Sequence, residues 1–228
     1  MFKLKTFLTK AKRQELTYLV IITLSALFYG CEPVVTFNEP QPAGVDDLPA
    51  FPVRLQGNYL SLADSSTLMI SDKLMQRQYD VYYKTHRNKL DSNEILIGDT
   101  LINVKTKEKN IILFDGDSII NHLRYTDTLI LLDADNVVRK WKGYYFINSR
   151  YNGDSWEVRK IKLSGGKLII SSIASKAALD ELQEMTSSEQ DTIAPYTFSV
   201  NRQQFSKFVQ HNGFSDDEVF VQWKSDNH

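Results

Sequence analysis

From Phe51 onwards the chain is a succession of short apolar stretches separated by turn residues. About eleven or twelve such stretches follow one another at this short spacing, and no helical period lies between them. Asp115-Gly116 and Ser164-Gly165-Gly166 have the residues that favour tight hairpin turns. Residues 51–175 are therefore predicted to form an antiparallel, mainly β domain, either a barrel-like meander or a sandwich.

One predicted strand, Ser155–Leu163, changes its alternation in the middle. Trp156 and Val158 follow one phase, whereas Ile161 and Leu163 follow the other. A slip of one residue predicts a bulge or a local twist in this strand.

Residues 176–228 predict a helix-strand-helix-strand portion packed on the β domain. The first helix covers Lys176–Met185, where apolar residues recur at helical spacing. Asn201 begins the second helix, with Gln204 in the capping-box position, and Gly213 is expected to end it as a left-handed cap. In the last strand the residues expected to face inward are Val219, Val221 and Trp223.

The first thirty residues have a different character. Five basic residues precede an uncharged, mainly apolar run of 15 residues, Leu16–Gly30, which Glu32-Pro33 terminates. A membrane-spanning helix needs about 20 apolar residues. Residues 1–30 are therefore predicted to be a secretory signal peptide, and the chain beyond them is expected to be translocated.

The only cysteine of the chain, Cys31, follows this run and the small residue Gly30. The arrangement resembles the lipobox of bacterial lipoproteins, in the relaxed form found in Bacteroidota, with Phe28 and Tyr29 as its departures. The resemblance implies cleavage before Cys31, lipidation of Cys31 and an outer-membrane anchor in the cell envelope, with a periplasm-facing domain favoured. The alternatives are an uncleaved signal anchor and a cytosolic protein.

The segment that follows, residues 31–50, contains four of the six prolines. Proline favours extended backbone, so a semi-stiff tether is predicted, with Phe37 as the candidate for a contact with the domain. The full chain has a net charge of −1, and loss of residues 1–30 leaves −5. This balance excludes an electrostatic nucleic-acid partner and gives the domain no reason to lie on an anionic membrane surface.

Catalytic motifs are weak. Ser164–Lys167 matches the S-x-x-K pattern of penicillin-recognising enzymes, but its Gly-Gly centre predicts a hairpin instead of the helix that this chemistry needs. His86, His122, His211 and His228 have no metal-ligand spacing and are expected to be surface residues.

Two short aspartate clusters are candidates for calcium ligands. They contain Asp115, Asp117, Asp133, Asp135 and Asn136. Calcium needs more converging oxygens and a distal glutamate, so these residues are expected to serve as hairpin-turn residues. No metal or cofactor is predicted.

A set of aromatic residues on predicted strands is the candidate binding surface. The set is Tyr79, Tyr82, Tyr83, Tyr144, Tyr145, Tyr151 and Trp156. Neighbouring tyrosines on a strand point to opposite faces, so some should be buried and others should face solvent or a cavity.

The sequence thus predicts a lipid-anchored envelope lipoprotein with a non-catalytic binding or assembly role, towards an envelope protein or a small ligand. The alternative is an envelope hydrolase whose catalytic residues come from distant strands. That hypothesis requires two carboxylates, or a serine with His86 or His122, within hydrogen-bond reach.

Overall fold

A computed structural model describes residues 35–186 and 194–223. This part of the chain contains fifteen strands and two α-helices. The strands are β1 (Val35–Phe37), β2 (Asp47–Leu48), β3 (Gly57–Ser61), β4 (Thr67–Ile70), β5 (Leu74–His86), β6 (Glu94–Ile97), β7 (Thr100–Asn103), β8 (Lys109–Asp115), β9 (Ser118–Leu131), β10 (Asn136–Trp141), β11 (Tyr144–Tyr151), β12 (Ser155–Ser164), β13 (Lys167–Ser172), β14 (Tyr196–Phe198) and β15 (Asp216–Trp223). The helices are α1 (Lys176–Thr186) and α2 (Arg202–Gln210).

The mainly β fold is confirmed, as one large sheet. Its strand order is β2-β10-β11-β12-β13-β15-β3-β4-β5-β9-β8-β7-β6, and every pair along this path is antiparallel. β1 lies beside this path and pairs with β12 and, in parallel, with β14. Because β2 and β6 end the sheet without pairing with each other, the sheet is not closed into a barrel.

The described residues outside 79–125 are called the body below. Two hydrophobic cores hold the body together. The helix-side core packs α1, α2, β1 and β14 against one face of β11 and β12. The sheet core gathers the opposite faces of those two strands with residues of β3, β4, β5, β9, β10, β13 and β15. Phe146 therefore faces the helices, whereas its neighbours Tyr145 and Ile147 face the sheet core.

This two-sided burial explains the slip in Ser155–Leu163. β12 pairs with β11 and β13 in unbroken register, so of the two expected irregularities the bulge is wrong. Val158 points into the helix-side core and Ile161 into the sheet core. A strand that is covered on both faces needs no single apolar phase. The register does shift in β5, between Met75 and Gln76.

The segment expected to be a tether belongs largely to the folded body. Phe37 is fully buried and meets the ring of Phe205 edge-on, with centroids 5.8 Å apart. The buried side chain of Asn148 donates to the carbonyl oxygen of Gln41 at 2.9 Å. Residues 35–50 are thus packed against β11, β12 and α2. The tether predicted over residues 31–50 is wrong for this part, because Phe37 and Gln41 have apolar and polar partners on the body.

The helix-strand-helix-strand order of the C-terminal portion is confirmed. Its last strand does more than pack on the domain, because β15 lies between β13 and β3 and joins the two halves of the sheet. The predicted inward face of β15 is wrong. Phe220, paired with Leu168, is fully buried, whereas Val221 and Trp223 are exposed.

Asn201 caps α2 as expected, in a complete capping box with Gln204. The predicted left-handed glycine is wrong, because the residue with positive φ is Asn212 (φ 63°). The amide of Gly213 donates to the carbonyl of Phe208 at 3.0 Å and closes the helix end.

Candidate binding surface on the arm

The longest paired strands of the sheet, β5 and β9, extend beyond the body. β4 covers β5 only as far as Gln78, so residues 79–86 of β5 have β9 as their strand neighbour. Residues 79–125, which include β6, β7 and β8, are called the arm below. At its base the rings of Tyr79 and Tyr125 stack with centroids 4.8 Å apart.

The tip of the arm is a small curled sheet with its own core. β8 pairs with β7 through residues 109–111 and with β9 through residues 112–115, so the sheet turns within this strand. Leu101, Ile112 and Ile119 are buried on the inner side of the curl, with Leu90 and Leu96 packed against them. The tip is thus held by side chains of its own, apart from the two cores of the body.

The outer side of the tip is apolar and exposed. Ile95 is 48% exposed, Ile97 62%, Ile111 75% and Leu113 66%. Ile97 and Ile111 both pair with Thr100, on opposite sides, so they lie on one face of the sheet. Strand alternation places Ile95 and Leu113 on this same face, which is called the outer face.

Aromatic residues continue the outer face towards the body. Tyr82 is exposed and stacks on the ring of His122, with centroids 4.4 Å apart and planes inclined by 10°. Nε2 of His122 lies 2.6 Å from Oδ1 of Asp80, and Arg124 donates to the same oxygen at 2.8 Å. Hydrogen bonds from Arg124 and then His122 lower the pKa of Asp80. This carboxylate therefore stays charged and fixes the imidazole under Tyr82.

One edge of the tip carries backbone groups without a neighbouring strand. β6 ends the sheet, and β7 is its partner strand in the described part of the chain. In an antiparallel pair, alternate residues turn their N–H and C=O groups away from the partner. The exposed outer face thus adjoins an edge that can accept another strand.

The inner side of the tip encloses a cavity of about 290 Å³. Its polar lining residues are Tyr83, Thr85, Glu94, Asn103, Glu108, Asn110 and Asn121. Its apolar lining residues are Leu90, Leu101, Ile119 and Leu123. The inner side of the tip therefore combines polar lining residues with a small apolar core, whereas the aliphatic residues of the outer face are exposed.

The aromatic set predicted from the sequence is divided by the fold. Tyr145 and Trp156 are buried in the body, and Tyr144 packs against the helix-side core. Tyr82 and Tyr83 lie exposed on opposite faces of the arm. The structure therefore brings only part of this set to a surface that can bind a partner.

The aliphatic residues of the outer face were not among the residues predicted from the sequence to form a binding surface. The signal lies in the runs Ile95-Leu96-Ile97 and Ile111-Ile112-Leu113, which are apolar at consecutive positions. Such runs indicate strands with apolar side chains on both faces. In a strand at the tip of a thin arm, one of those faces has no core to cover it.

The described histidines lie in separate places. His122 is bonded to Asp80 on the arm, Nδ1 of His211 lies 2.6 Å from Glu181 on α1, and His86 accepts the amide of Asn88. His228 lies outside the described residues. The fold therefore does not assemble the three described histidines into one catalytic or metal site.

The remaining sequence motifs are turns. Ser164 and Lys167 face each other across the Gly165-Gly166 hairpin, as expected, with both glycines at positive φ. Oδ1 of Asp133 accepts the amides of Asp135 and Asn136, and these bonds lower the pKa of Asp133, with the Asp135 amide as the first cause. In the described part of the chain no group of three His, Cys, Asp or Glu residues could hold a metal ion.

Cys31 and the predicted signal segment lie outside the described residues. Within those residues, none of the helices combines the length and apolar character needed to cross a membrane. Comparisons of the chain with protein-family models, with curated proteins and with solved structures find no match.

Proposed function

We propose that this chain is a cell-envelope lipoprotein, anchored through lipid on Cys31, whose arm binds an extended segment of another envelope protein. The anchor is supported by the basic start, the apolar run of 15 residues and the single cysteine directly after it. A lipid anchor of two or more acyl chains holds a folded domain stably at a membrane. The role is binding and assembly, without catalysis.

The short connection between Cys31 and the body sets the geometry of the anchored form. β1 begins at Val35, four residues after Cys31. Four extended residues span at most about 14 Å, at roughly 3.5 Å per residue. The body then stands close to the bilayer, and the arm extends by about 26 Å, at about 3.3 Å for each residue from 79 to 86.

The observation that carries the binding role is the exposed outer face beside the open edge of β6. Exposed contiguous apolar patches mark interaction sites in soluble domains. A membrane would cover the side chains of Ile97 and Ile111, but lipid tails offer no hydrogen bonds to the backbone groups of the edge. An added strand covers the apolar side chains and also pairs with the backbone groups of the edge. Its backbone bonds to β6, and its side chains extend the apolar face.

The anchor is tested by intact mass spectrometry of the protein extracted from its own membranes. The expected species begins at Cys31 and carries added lipid mass. Replacement of Cys31 by Ser should leave the precursor uncleaved. A wild-type chain that still begins at Met1 without lipid contradicts the anchor.

The docking role is tested by photo-crosslinking in those membranes. A photoreactive residue at position 111 should form a discrete protein adduct, and Ile97→Lys should abolish it. The same photoreactive residue at position 62, an exposed apolar site on the body, is the matched control and should give no such adduct. Adducts to lipid alone, or adducts equal at both positions, contradict the proposal.

A further inference from the structure

We propose that the cavity on the inner side of the arm tip binds a small polyhydroxylated ligand, about the size of one sugar unit. The cavity lies on the face opposite to the outer face, so a ligand bound there is independent of the docking role. The groups that line the cavity, and the hydrogen bonds they make, indicate the class of ligand.

The walls of the cavity come from two parts of the curled sheet. Tyr83, Thr85, Ile119, Asn121 and Leu123 belong to β5 and β9, whereas the other wall comes from the segment 90–110. The volume of about 290 Å³ is near the lower end of ligand pockets, so one small molecule fits. The hydrogen-bonded strands on both sides hold the walls in place.

The amide oxygen of Asn121 indicates the chemistry of the ligand. This oxygen is buried, and none of the described residues donates a hydrogen bond to it. An unsatisfied buried acceptor costs about 1–3 kcal/mol. A ligand hydroxyl in the cavity would provide the donor that the protein does not.

Two carboxylates add further acceptors. Oε2 of Glu94 accepts the amide of Asp91 at 3.0 Å, and Oε2 of Glu108 accepts the hydroxyl of Thr106 at 3.1 Å. These bonds orient each carboxylate and engage one of its two oxygens. The lining contains no lysine, arginine or histidine, so an anionic ligand has no counter-charge there. The cavity therefore favours a ligand that donates hydrogen bonds.

The apolar part of the lining favours a sugar over a simple amine or cation. Leu101 from one wall and Ile119 and Leu123 from the other contribute apolar surface, and Tyr83 is also a lining residue. A sugar ring presents C–H groups on its faces and hydroxyls around its rim, so apolar walls and amide or carboxylate acceptors match it together. Asn103 and Asn110 supply amide groups that can also donate to ring and hydroxyl oxygens.

The test is saturation-transfer NMR with the full-length protein in a detergent that has no sugar headgroup. The probes are glucose, mannose, galactose and N-acetylglucosamine. We expect saturation of the ring protons of at least one probe, and about tenfold or greater weakening in Asn121→Leu, since tenfold corresponds to the loss of about 1.4 kcal/mol. Asn58→Leu, at an exposed site in β3, is the matched control and should bind like the wild type.

Two further variants separate ligand binding from folding. Glu108→Gln changes an exposed residue and should weaken binding while leaving the melting temperature unchanged. Ile97→Lys on the outer face should leave binding of the probe intact, whatever it does to partner docking. Absence of binding for all four probes, or equal binding by the wild type, Asn121→Leu and Glu108→Gln, overturns the inference.

Discussion

The Cα of Gly213 lies against the ring of Phe208, so closely that a Cβ at position 213 would be 2.2 Å from Cε2 of that ring. Phe208 is fully buried in the helix-side core and meets Phe214 edge-on, with centroids 5.6 Å apart. The glycine is required here by the packing of a neighbouring side chain, since its own φ is not positive. Asn212 takes the left-handed conformation instead.

Gly213→Ala should therefore lower the free energy of unfolding by about 1–3 kcal/mol, the usual cost of overpacking a core. Urea denaturation followed by tryptophan fluorescence measures it. Asn212→Gly is the matched variant, and it should change stability by no more than a few tenths of a kcal/mol because glycine adopts positive φ freely. Equal losses in the two variants would contradict the packing explanation.

Arg77, on β5, links the turn between β3 and β4 to β15. Its guanidinium donates to Asp64 after β3, to Ser66 before β4 and to Glu218 on β15. The side chain of Arg77 is only 13% exposed. We expect Arg77→Met to cost about 1–3 kcal/mol of unfolding free energy, because hydrogen bonds to charged groups are lost and two carboxylates remain close together.

Arg124 provides the comparison for that loss. Its ion pair with Asp80 is exposed, and exposed pairs contribute about 0–1 kcal/mol. Arg124→Met should thus unfold at nearly the same urea concentration as the wild type. If Arg77→Met also unfolds at the urea concentration of the wild type, the ion network does not stabilise the junction of β15 with the rest of the sheet.

The same network predicts a dependence of stability on pH. Burial alone would raise the pKa of Asp64, but hydrogen bonds from Ser66 and Ser61 and the charge of Arg77 lower it from 3.8 to about 2. The unfolded chain therefore takes up this proton before the folded chain does. The stabilisation is complete above pH 3.8 and is lost as the pH falls towards 2.

The test compares the wild type with Asp64→Asn. The free energy of unfolding of each protein is measured from neutral pH down to about pH 2. The wild type should be the more stable protein above pH 3.8, and the two curves should converge near pH 2. Ser66→Ala should move the convergence to higher pH, because one bond to the carboxylate is gone. Parallel curves over the whole range are the contrary result.

The strands of this fold are largely predictable because alternation and turn chemistry act locally. The hairpins at Asp115-Gly116 and Ser164-Gly165-Gly166 lie where the sequence indicates them. The place of β15 is not predictable in this way. Whether Phe220 or Val221 faces the core depends on its register with Leu168 and Ser61, which come from strands far away in the chain.

In the candidate site, too, the local features are predictable from the sequence and the long-range features are not. Its strands were predicted, but the outer face and the cavity arise from the curl of β8, where residues 109–111 and 112–115 pair with different strands. Sequence alternation does not record such a change of partner. It shows only that Ile111, Ile112 and Leu113 are apolar, without indicating which of them has no core to cover it.

The N-terminal segment gives a last prediction, since residues expected to form a tether prove to be structural. Phe37 is fully buried between β12, β14 and α2. Phe37→Ala should reduce the free energy of unfolding by about 3–5 kcal/mol, because it deletes a core ring and leaves a cavity. Val53→Ala, at a position that is almost fully exposed, is the control and should stay within about 0.5 kcal/mol of the wild type. Urea denaturation compares the three proteins, and a Phe37→Ala midpoint equal to that of the control would mean that the segment before Phe51 adds nothing to the fold.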